Sequence, residues 1–366
     1  MSRIQYGYGT VATVAFVTSV AACQGDVRIG VVPEDLACGD LNPLYLADGG
    51  VGRDGIPALT DPVFVPVEDQ RATTYLSSDA RVIGVFLDGE WLAIPHNIMY
   101  RHEIVNLSRG SEQVAVTYCP LTGSALAFDR SSVDGAEFGV SGLLFQANLI
   151  MYDRNTDDSL WPQMRGAAAC GSRMGQALTR HPVVEMTWGG WLDLFTGSTV
   201  VGVEPLDADG YSVNPYGNTY ENPDNPNYLG FPIPREDTRR LPKERVLGLP
   251  ATVGSGAIAF PFHAMEARGQ AWVHEFDYAG APAAVLWDTN RFAAVAVRPV
   301  VGEQRLTFRI ENDAIVDNET GSTWSVAGQA VSGPLEGGRL AIIPEAYVAF
   351  WLAWAGFHPD TELIVE

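Results

Sequence analysis

Basic residues are scarce in this sequence of 366 residues. Lysine and arginine together number 23, against 44 aspartates and glutamates, and the formal net charge at pH 7 is -21. Lys243 is the single lysine. A surface this acidic repels phosphate backbones and anionic lipid headgroups. The composition therefore argues against nucleic-acid binding, and we expect no nucleic-acid partner.

No apolar run near the N-terminus is long enough to span a membrane. The stretch from Thr10 to Ala22 falls short of the ~20 residues that a spanning helix needs. Residues 1–22 carry no acid and one base, which is typical of a signal peptide. The stretch ends in Val20-Ala21-Ala22-Cys23, which resembles the lipobox of bacterial lipoproteins. We therefore expect an exported protein of the cell envelope, periplasmic or at the outer membrane, that touches the membrane through a lipid on Cys23 alone. The alternative is an ordinary signal peptide in which Cys23 has no special role.

The chain from Arg81 onwards repeats itself. Arg81-Val82-Ile83-Gly84 returns as Arg245-Val246-Leu247-Gly248, and Trp188 with Trp191 returns as Trp351 with Trp354. Repetition at a fixed offset predicts two tandem homologous copies of one unit. The predicted organisation is a signal peptide (1–22), a lipid-anchored tether and strap (23–55), copy one (56–205), a linker (206–240) and copy two (241–366).

Each copy is predicted to be β-rich with short helices, an α+β fold of mixed strands and helices. Asp88-Gly89 between two apolar runs predicts a hairpin with a type I′ turn. The predicted strands are 82–87, 90–94, 113–118, 124–129, 137–140 and 149–152, and the predicted helices are 95–107, 183–195 and 345–356. The linker, rich in Pro, Asn and Tyr, is predicted to be extended or a surface loop rather than packed. Its four tyrosines (211, 216, 220 and 228) offer a cover for a cleft between the copies.

Two segments of copy one have no counterpart in copy two. One runs from His96 to Asn106 and the other from Thr117 to Ser124. A helix over 95–107 would place Met99, His102 and Asn106 on one face. Copy one is therefore expected to carry the chemistry, and copy two to be structural.

Cys119 is the candidate nucleophile of copy one. It ends a predicted strand before Pro120, where a thiol is both positioned and accessible, and an imidazolium at His102 would lower its pKa. The hydroxyl of Thr122 is a hydrogen-bond donor for the thiolate. Glu103 and Asn106 complete the candidate catalytic set. Each of these residues also has a purely structural interpretation, as a core cysteine, a satisfied histidine or a solvated charge.

Cys38 and Cys170 lie outside the two special segments. In an oxidising compartment, three cysteines beside a lipidated Cys23 leave at least one free thiol. A disulfide between Cys38 and Cys170 would leave Cys119 as that thiol, and we state this pairing as a prediction.

Several stretches together resemble the DUF3179 family, functionally uncharacterised proteins found mainly in bacteria and archaea. They are residues 53–59, 81–84, 102–106, 115–121, 138–142, 151–154, 321–324 and 350–354. Many members carry Cys-Pro-Leu-Cys-Gly and some carry selenocysteine, so the resemblance implies that Cys119 takes part in thiol redox chemistry. This chain has Thr122 in place of the second cysteine, which puts an internal dithiol cycle in doubt. The reaction would then be resolved by an external thiol, or by Cys38 or Cys170 if the fold brings one of them near.

The leading hypothesis is an exported thiol-dependent oxidoreductase that uses Cys119, with an unknown small molecule or thiol partner and no cofactor. One alternative is a copper site built from Cys119, His102, His96 and Met99, or from Met151 in place of Met99, because sulfur and imidazole ligands suit copper. A hydrolase using Cys119, His102 and Asn106 is less favoured, because one helical turn places them poorly for a relay. The other alternative is a non-catalytic, lipid-anchored binding or scaffold module.

Overall fold

The computed structural model describes residues 38–233 and 237–365. Cys23 and the predicted signal peptide lie outside the described residues. No helix in the described ranges is both long and apolar enough to cross a membrane.

The first half of the chain, up to residue 233, is built mainly from short strands. The strands are β1 Leu46–Asp48, β2 Leu59–Thr60, β3 Phe64–Pro66, β4 Arg81–Leu87, β5 Glu90–Pro95, β6 Ile104–Arg109, β7 Glu112–Cys119, β8 Ser124–Asp129, β9 Phe138–Phe145, β10 Asn148–Asp153, β11 Leu160–Pro162, β12 Thr179–His181, β13 Val184–Thr187 and β14 Thr199–Val201. The helices are α1 Gln70–Thr73, α2 His96–His102, α3 Trp188–Leu194 and α4 Ala208–Tyr211, with 3-10 turns at Pro43–Tyr45 and Arg130–Val133.

The second half is built in the same way. Its strands are β15 Arg245–Leu249, β16 Ile258–Pro261, β17 Ala271–Tyr278, β18 Ala281–Asp288, β19 Ala293–Arg298, β20 Val300–Val301, β21 Gln304–Arg305, β22 Phe308–Glu311, β23 Ala314–Asp317, β24 Thr323–Trp324, β25 Ala330–Ser332, β26 Ala341–Ile342, β27 Tyr347–Phe350 and β28 Glu362–Leu363. Its helices are α5 Phe262–Glu266 and α6 Trp351–Phe357. The fold is therefore β-rich, as predicted.

The strands of the first half form three sheets, with the orders β1-β9-β10-β11, β12-β8-β7-β6-β2 and β13-β4-β5-β14-β3. The second half has sheets of order β27-β15-β16-β28, β17-β18-β19-β26 and β22-β23-β24-β25, and a small β20-β21 pair. Pairing is antiparallel except for β5 with β14, β16 with β28 and β2 with β6, which are parallel.

The predicted hairpins are confirmed. Strands β4 and β5 pair across Asp88 and Gly89, which both have positive φ, as a type I′ turn requires. Strands β7 and β8 pair up to Cys119 and Ser124, which lie opposite each other at the loop. The turn chemistry is local, so the sequence was enough to predict it.

The three predicted helices are too long, because part of each is a strand. Helix α2 stops at His102, since Glu103 takes a left-handed conformation with φ 55, and the chain continues as β6. In the same way β13 precedes α3, and β27 precedes α6. The β-branched and apolar residues at these positions pair in sheets, and that tertiary pairing overrides a helical pattern.

The linker also differs from its prediction. Tyr220 and Tyr228 are only 3% and 4% exposed and pack in the core, so this part of the linker is a packed element. Both main hydrophobic clusters contain side chains from each half, for example Val82 with Leu286 in one and Cys119 with Phe350 in the other. The two halves are therefore joined by shared core packing.

Candidate functional site

The loop that carries Cys119 connects β7 to β8 and packs against the second half of the chain. Gly123 has a φ of 59, which the tight turn requires. A side chain at this position would also collide with the ring of Phe350. The backbone N–H of Phe350 donates to the Thr122 carbonyl at 2.8 Å. Both contacts fix the position of the loop.

A buried network of hydroxyl and amide groups supports this loop. The Thr122 hydroxyl lies 2.9 Å from that of Ser124, and the Asn148 amide donates to Thr122 at 3.0 Å. Ser124 donates to Gln163 at 2.7 Å, and Gln163 donates to Thr117 at 2.9 Å. Each member is fully buried and has partners, so the network fixes the loop rigidly.

The Cys119 thiol is the free cysteine of the described residues and is only 1% exposed. Its sulfur donates to the Ala147 carbonyl at 3.7 Å. Burial, and to a smaller extent the charge of Glu103, raises the pKa of the thiol to about 11, and hydrogen bonds from Thr122 partly oppose this rise. We expected an accessible thiol with a lowered pKa, and both expectations are wrong: the thiol is buried, and burial raises its pKa.

Glu103 is the titratable neighbour that the structure brings to Cys119. Its carbonyl accepts from Tyr118 N at 2.8 Å, which aligns Glu103 with the end of β7. The residue is 6% exposed, and its carboxyl has no hydrogen-bond or ion-pair partner among the described residues. Burial raises the pKa of this carboxyl to about 8, so it is mostly protonated at neutral pH. A buried acid with a raised pKa, next to the strand end that carries the free thiol, is a candidate functional residue.

Linker residues 216–231, which we call the cover segment, close over the loop. The Tyr220 hydroxyl donates to the Leu121 carbonyl at 2.9 Å. Tyr220 and Tyr228 share a hydrophobic cluster with Cys119. Burial, and to a smaller extent the charge of Cys119, raises the pKa of both tyrosines.

Lys243 holds the cover segment in place through hydrogen bonds. Its ammonium donates to the carbonyls of Tyr220 at 2.7 Å and Asn227 at 2.6 Å, and lies 3.2 Å from the Tyr220 ring centre. Burial lowers the pKa of Lys243 to about 7. No role was predicted for Lys243 from the sequence, although it is the single lysine and follows a tyrosine-rich segment.

His102 does not contact Cys119. Its Nδ1 lies 2.8 Å from the Pro57 carbonyl and its Nε2 lies 2.8 Å from the Tyr211 hydroxyl, so both ring nitrogens are occupied. Burial lowers the pKa of His102, which disfavours an imidazolium. The structure therefore separates the predicted thiol–imidazole pair.

Asn106 lies on strand β6, so it shares no helical face with His102, and that prediction is wrong. Its amide donates to the Phe138 carbonyl at 3.0 Å, and its amide oxygen accepts from Phe138 N at 2.9 Å. The Asn106 side chain, on β6, is thus hydrogen-bonded to the backbone of β9.

The residues proposed for a copper site do not all share one region of the core: Met99 lies in one hydrophobic cluster, and Cys119 and Met151 lie in another. His96 is 1% exposed, its ring lies 4.1 Å from that of Tyr118, and its Nε2 is 3.7 Å from Glu185. Met99 is buried in the core cluster. Within residues 38–233 and 237–365, no three His, Cys, Asp or Glu side chains form a metal-ligating group. Copper binding stays a prediction.

The predicted pairing of Cys38 with Cys170 is confirmed by a disulfide with a Cα–Cα distance of 4.9 Å. The bond ties the N-terminal stretch to the first half, and Cys119 takes no part in it.

Comparison with known proteins gives one finding. The family model of DUF3179, described as a protein of unknown function, matches residues 53–361. The chain belongs to the DUF3179 family. No curated protein and no solved structure matches this DUF3179 chain.

Proposed function

We propose that this DUF3179 protein is a thiol-dependent oxidoreductase in which Cys119 reacts and Glu103 carries the proton. The observation that carries the proposal is the place of Glu103: it is 6% exposed, and its carbonyl accepts at 2.8 Å from the N–H of Tyr118, the residue before Cys119. An acid with a pKa of about 8 exchanges protons readily near neutral pH. Glu103 therefore takes the place of His102 as the titratable partner of Cys119, but as a proton carrier and not as a group that lowers the pKa of the thiol.

A peroxide is the oxidant whose chemistry suits this pair. The Cys119 sulfur attacks one peroxide oxygen, an S–O bond forms, and the O–O bond breaks. Glu103 gives its proton to the departing oxygen and regains one from the thiol. The products are a sulfenic acid and an alcohol or water, so the sulfur loses two electrons and the peroxide gains them.

An external thiol must complete the cycle, because Thr122 stands where a resolving cysteine would be. One thiol displaces water from the sulfenic acid and forms a mixed disulfide. A second thiol attacks that disulfide, releasing Cys119 and an oxidised partner. This sequence needs no metal or organic cofactor.

The cover segment must move before a substrate reaches the sulfur. Tyr220 and Tyr228 pack in the same hydrophobic cluster as the buried Cys119, and Lys243 donates to the carbonyls of Tyr220 and Asn227. We propose that substrate or partner binding displaces this segment, so that the closed conformation protects the thiol.

The test compares two reactions of Cys119 that differ in their need for a proton. Peroxide needs a proton on its leaving oxygen, whereas iodoacetamide releases iodide without one. We expect Glu103→Gln to slow sulfenic acid formation, measured by mass spectrometry, and not to slow alkylation. Glu266→Gln, an exposed acid on α5, is the matched control and should change neither rate.

Two results would overturn the proposal. One is an unoxidised Cys119 in protein whose methionines have already been oxidised by peroxide. The other is an equal peroxide rate in Glu103→Gln and wild-type protein. Retention of biological activity in Cys119→Ser would favour a non-catalytic binding module instead.

We also propose that the protein is exported and carries a lipid on Cys23. The disulfide between Cys38 and Cys170 supports an oxidising compartment, since such bonds are rare in the cytosol. Mass spectrometry of the detergent-extracted protein tests this proposal. We expect an N-terminal acylated Cys23, and an unmodified N-terminus elsewhere would contradict it.

We further infer that the two halves are tandem copies. In support, Trp161 Nε1 donates to Asp153 at 3.0 Å, and Trp324 Nε1 donates to Asp317 at 3.0 Å. The sheet orders β13-β4-β5-β14 and β27-β15-β16-β28 also correspond strand for strand.

A further inference from the structure

A cleft of about 190 Å³ lies where the two halves meet. The first half contributes Phe86, Trp91 and His181, and the second half contributes Gln329, Arg339 and Leu340. The cleft shares no residue with the Cys119 site. An apolar cavity of about 150 Å³ is large enough to bind benzene, so the space accommodates a single ring or a branched aliphatic group.

The aromatic wall of the cleft is fixed by strand pairing. Phe86 on β4 lies opposite Trp91 on β5, and their ring centres are 5.4 Å apart. The ring centre of Trp91 also lies 4.6 Å from that of Phe195, so Trp91 packs against two aromatic rings. The wall is therefore formed before any ligand binds, and a preformed apolar surface favours a flat or branched apolar group.

Arg339 supplies the single positive charge of the cleft. Its guanidinium carbon lies 4.3 Å from the centre of the Phe86 ring. The side chain is exposed, and no acidic partner lies within ion-pair distance among the described residues, although the chain has 44 acids. An antiparallel bridge between Gln329 and Arg339 fixes the backbone beneath it. Arg339 is thus positioned to bind a carboxylate, for which a guanidinium is geometrically suited.

We propose that this cleft binds a small carboxylate that carries an aromatic ring or a branched apolar group. The apolar part lies against Phe86, Trp91 and Leu340, and the carboxylate binds Arg339. Residues from both halves line the cleft, so a bound ligand contacts each half. This proposal goes beyond the thiol chemistry and does not depend on it.

Benzoate and benzyl alcohol are the probes, since they share a ring and differ in charge. Binding to the full chain is measured by calorimetry and by ligand-observed NMR. We expect benzoate to bind more tightly than benzyl alcohol. Arg339→Gln should weaken benzoate binding about three- to tenfold, as loss of one charge-assisted contact does, and leave benzyl alcohol unaffected. Arg305→Gln, another exposed arginine of the second half, should change neither affinity.

Ala327→Leu tests the location, because Ala327 lines the cleft and is 5% exposed. In protein that still unfolds cooperatively, we expect this substitution to abolish binding of both probes. The proposal is overturned if benzoate shows no saturable binding, if Arg339→Gln and Arg305→Gln behave alike, or if binding persists in folded Ala327→Leu. The exposed position of Arg339 keeps the first comparison usable even if Ala327→Leu fails to fold.

Discussion

Replacing Glu103 by glutamine should make the protein more stable at alkaline pH and leave its stability in acid nearly unchanged. Burial raises the pKa of the Glu103 carboxyl from 4.5 to about 8. Each pKa unit corresponds to about 1.36 kcal/mol, so the ionised carboxylate costs the folded state about 5 kcal/mol. Glutamine has the same shape and never ionises.

The direction follows from proton binding. Below pH 4.5 the carboxyl is neutral in both the folded and the unfolded chain, and ionisation costs nothing. Between pH 4.5 and about 8 the unfolded chain releases the proton while the folded protein retains it. The stability of the wild-type protein therefore falls across this window relative to Glu103→Gln, and the full difference of about 5 kcal/mol is reached above pH 8.

Urea unfolding of both proteins at about pH 4, 6.5 and 9 measures this difference, provided the disulfide is kept oxidised. Lys243 contributes in the opposite sense, because burial lowers its pKa to about 7 and its contribution to stability decreases as the pH falls. Both proteins contain Lys243, so its contribution cancels in the comparison. A difference in unfolding free energy that stays constant across the three pH values would refute the assignment of Glu103 as a buried, partnerless acid.

Three further predictions concern the cover segment, the core and the disulfide. Lys243→Met removes two hydrogen bonds that hold the cover segment in place, so the segment should open more often and Cys119 should react about tenfold faster with iodoacetamide. An unchanged rate would mean that the cover segment does not control access to the thiol. Gly84→Ala places a methyl group against the ring of Trp191 and should lower the free energy of unfolding by about 1–3 kcal/mol, measured in urea. No loss of stability would contradict this packing. Cys170→Ser removes the disulfide between residues 132 positions apart. It should lower the free energy of unfolding by about 2–5 kcal/mol, measured against fully oxidised wild-type protein. Equal unfolding midpoints would show that the bond adds no stability.

The hairpins were predictable from the sequence because their signals are local. Asp88 and Gly89 suit positive φ whatever surrounds them, so the β4–β5 pair followed directly. The junctions between strands and helices were not predictable in this way. Residues 104–109 carry a pattern that fits either a helix face or a strand, and pairing with β7 decided between them.

By itself, the sequence determined that this protein is β-rich, that its halves share residues at a fixed spacing, and that one thiol stands apart from the other cysteines. Only the tertiary structure decided what surrounds that thiol. His102 and Glu103 are neighbours in the chain, yet the left-handed turn at Glu103 ends α2 between them. His102 is then bound to Pro57 and Tyr211, while Glu103 is buried beside Cys119. A single backbone conformation, stabilised by the pairing of β6 with β7, separated two residues that the sequence had treated as one site.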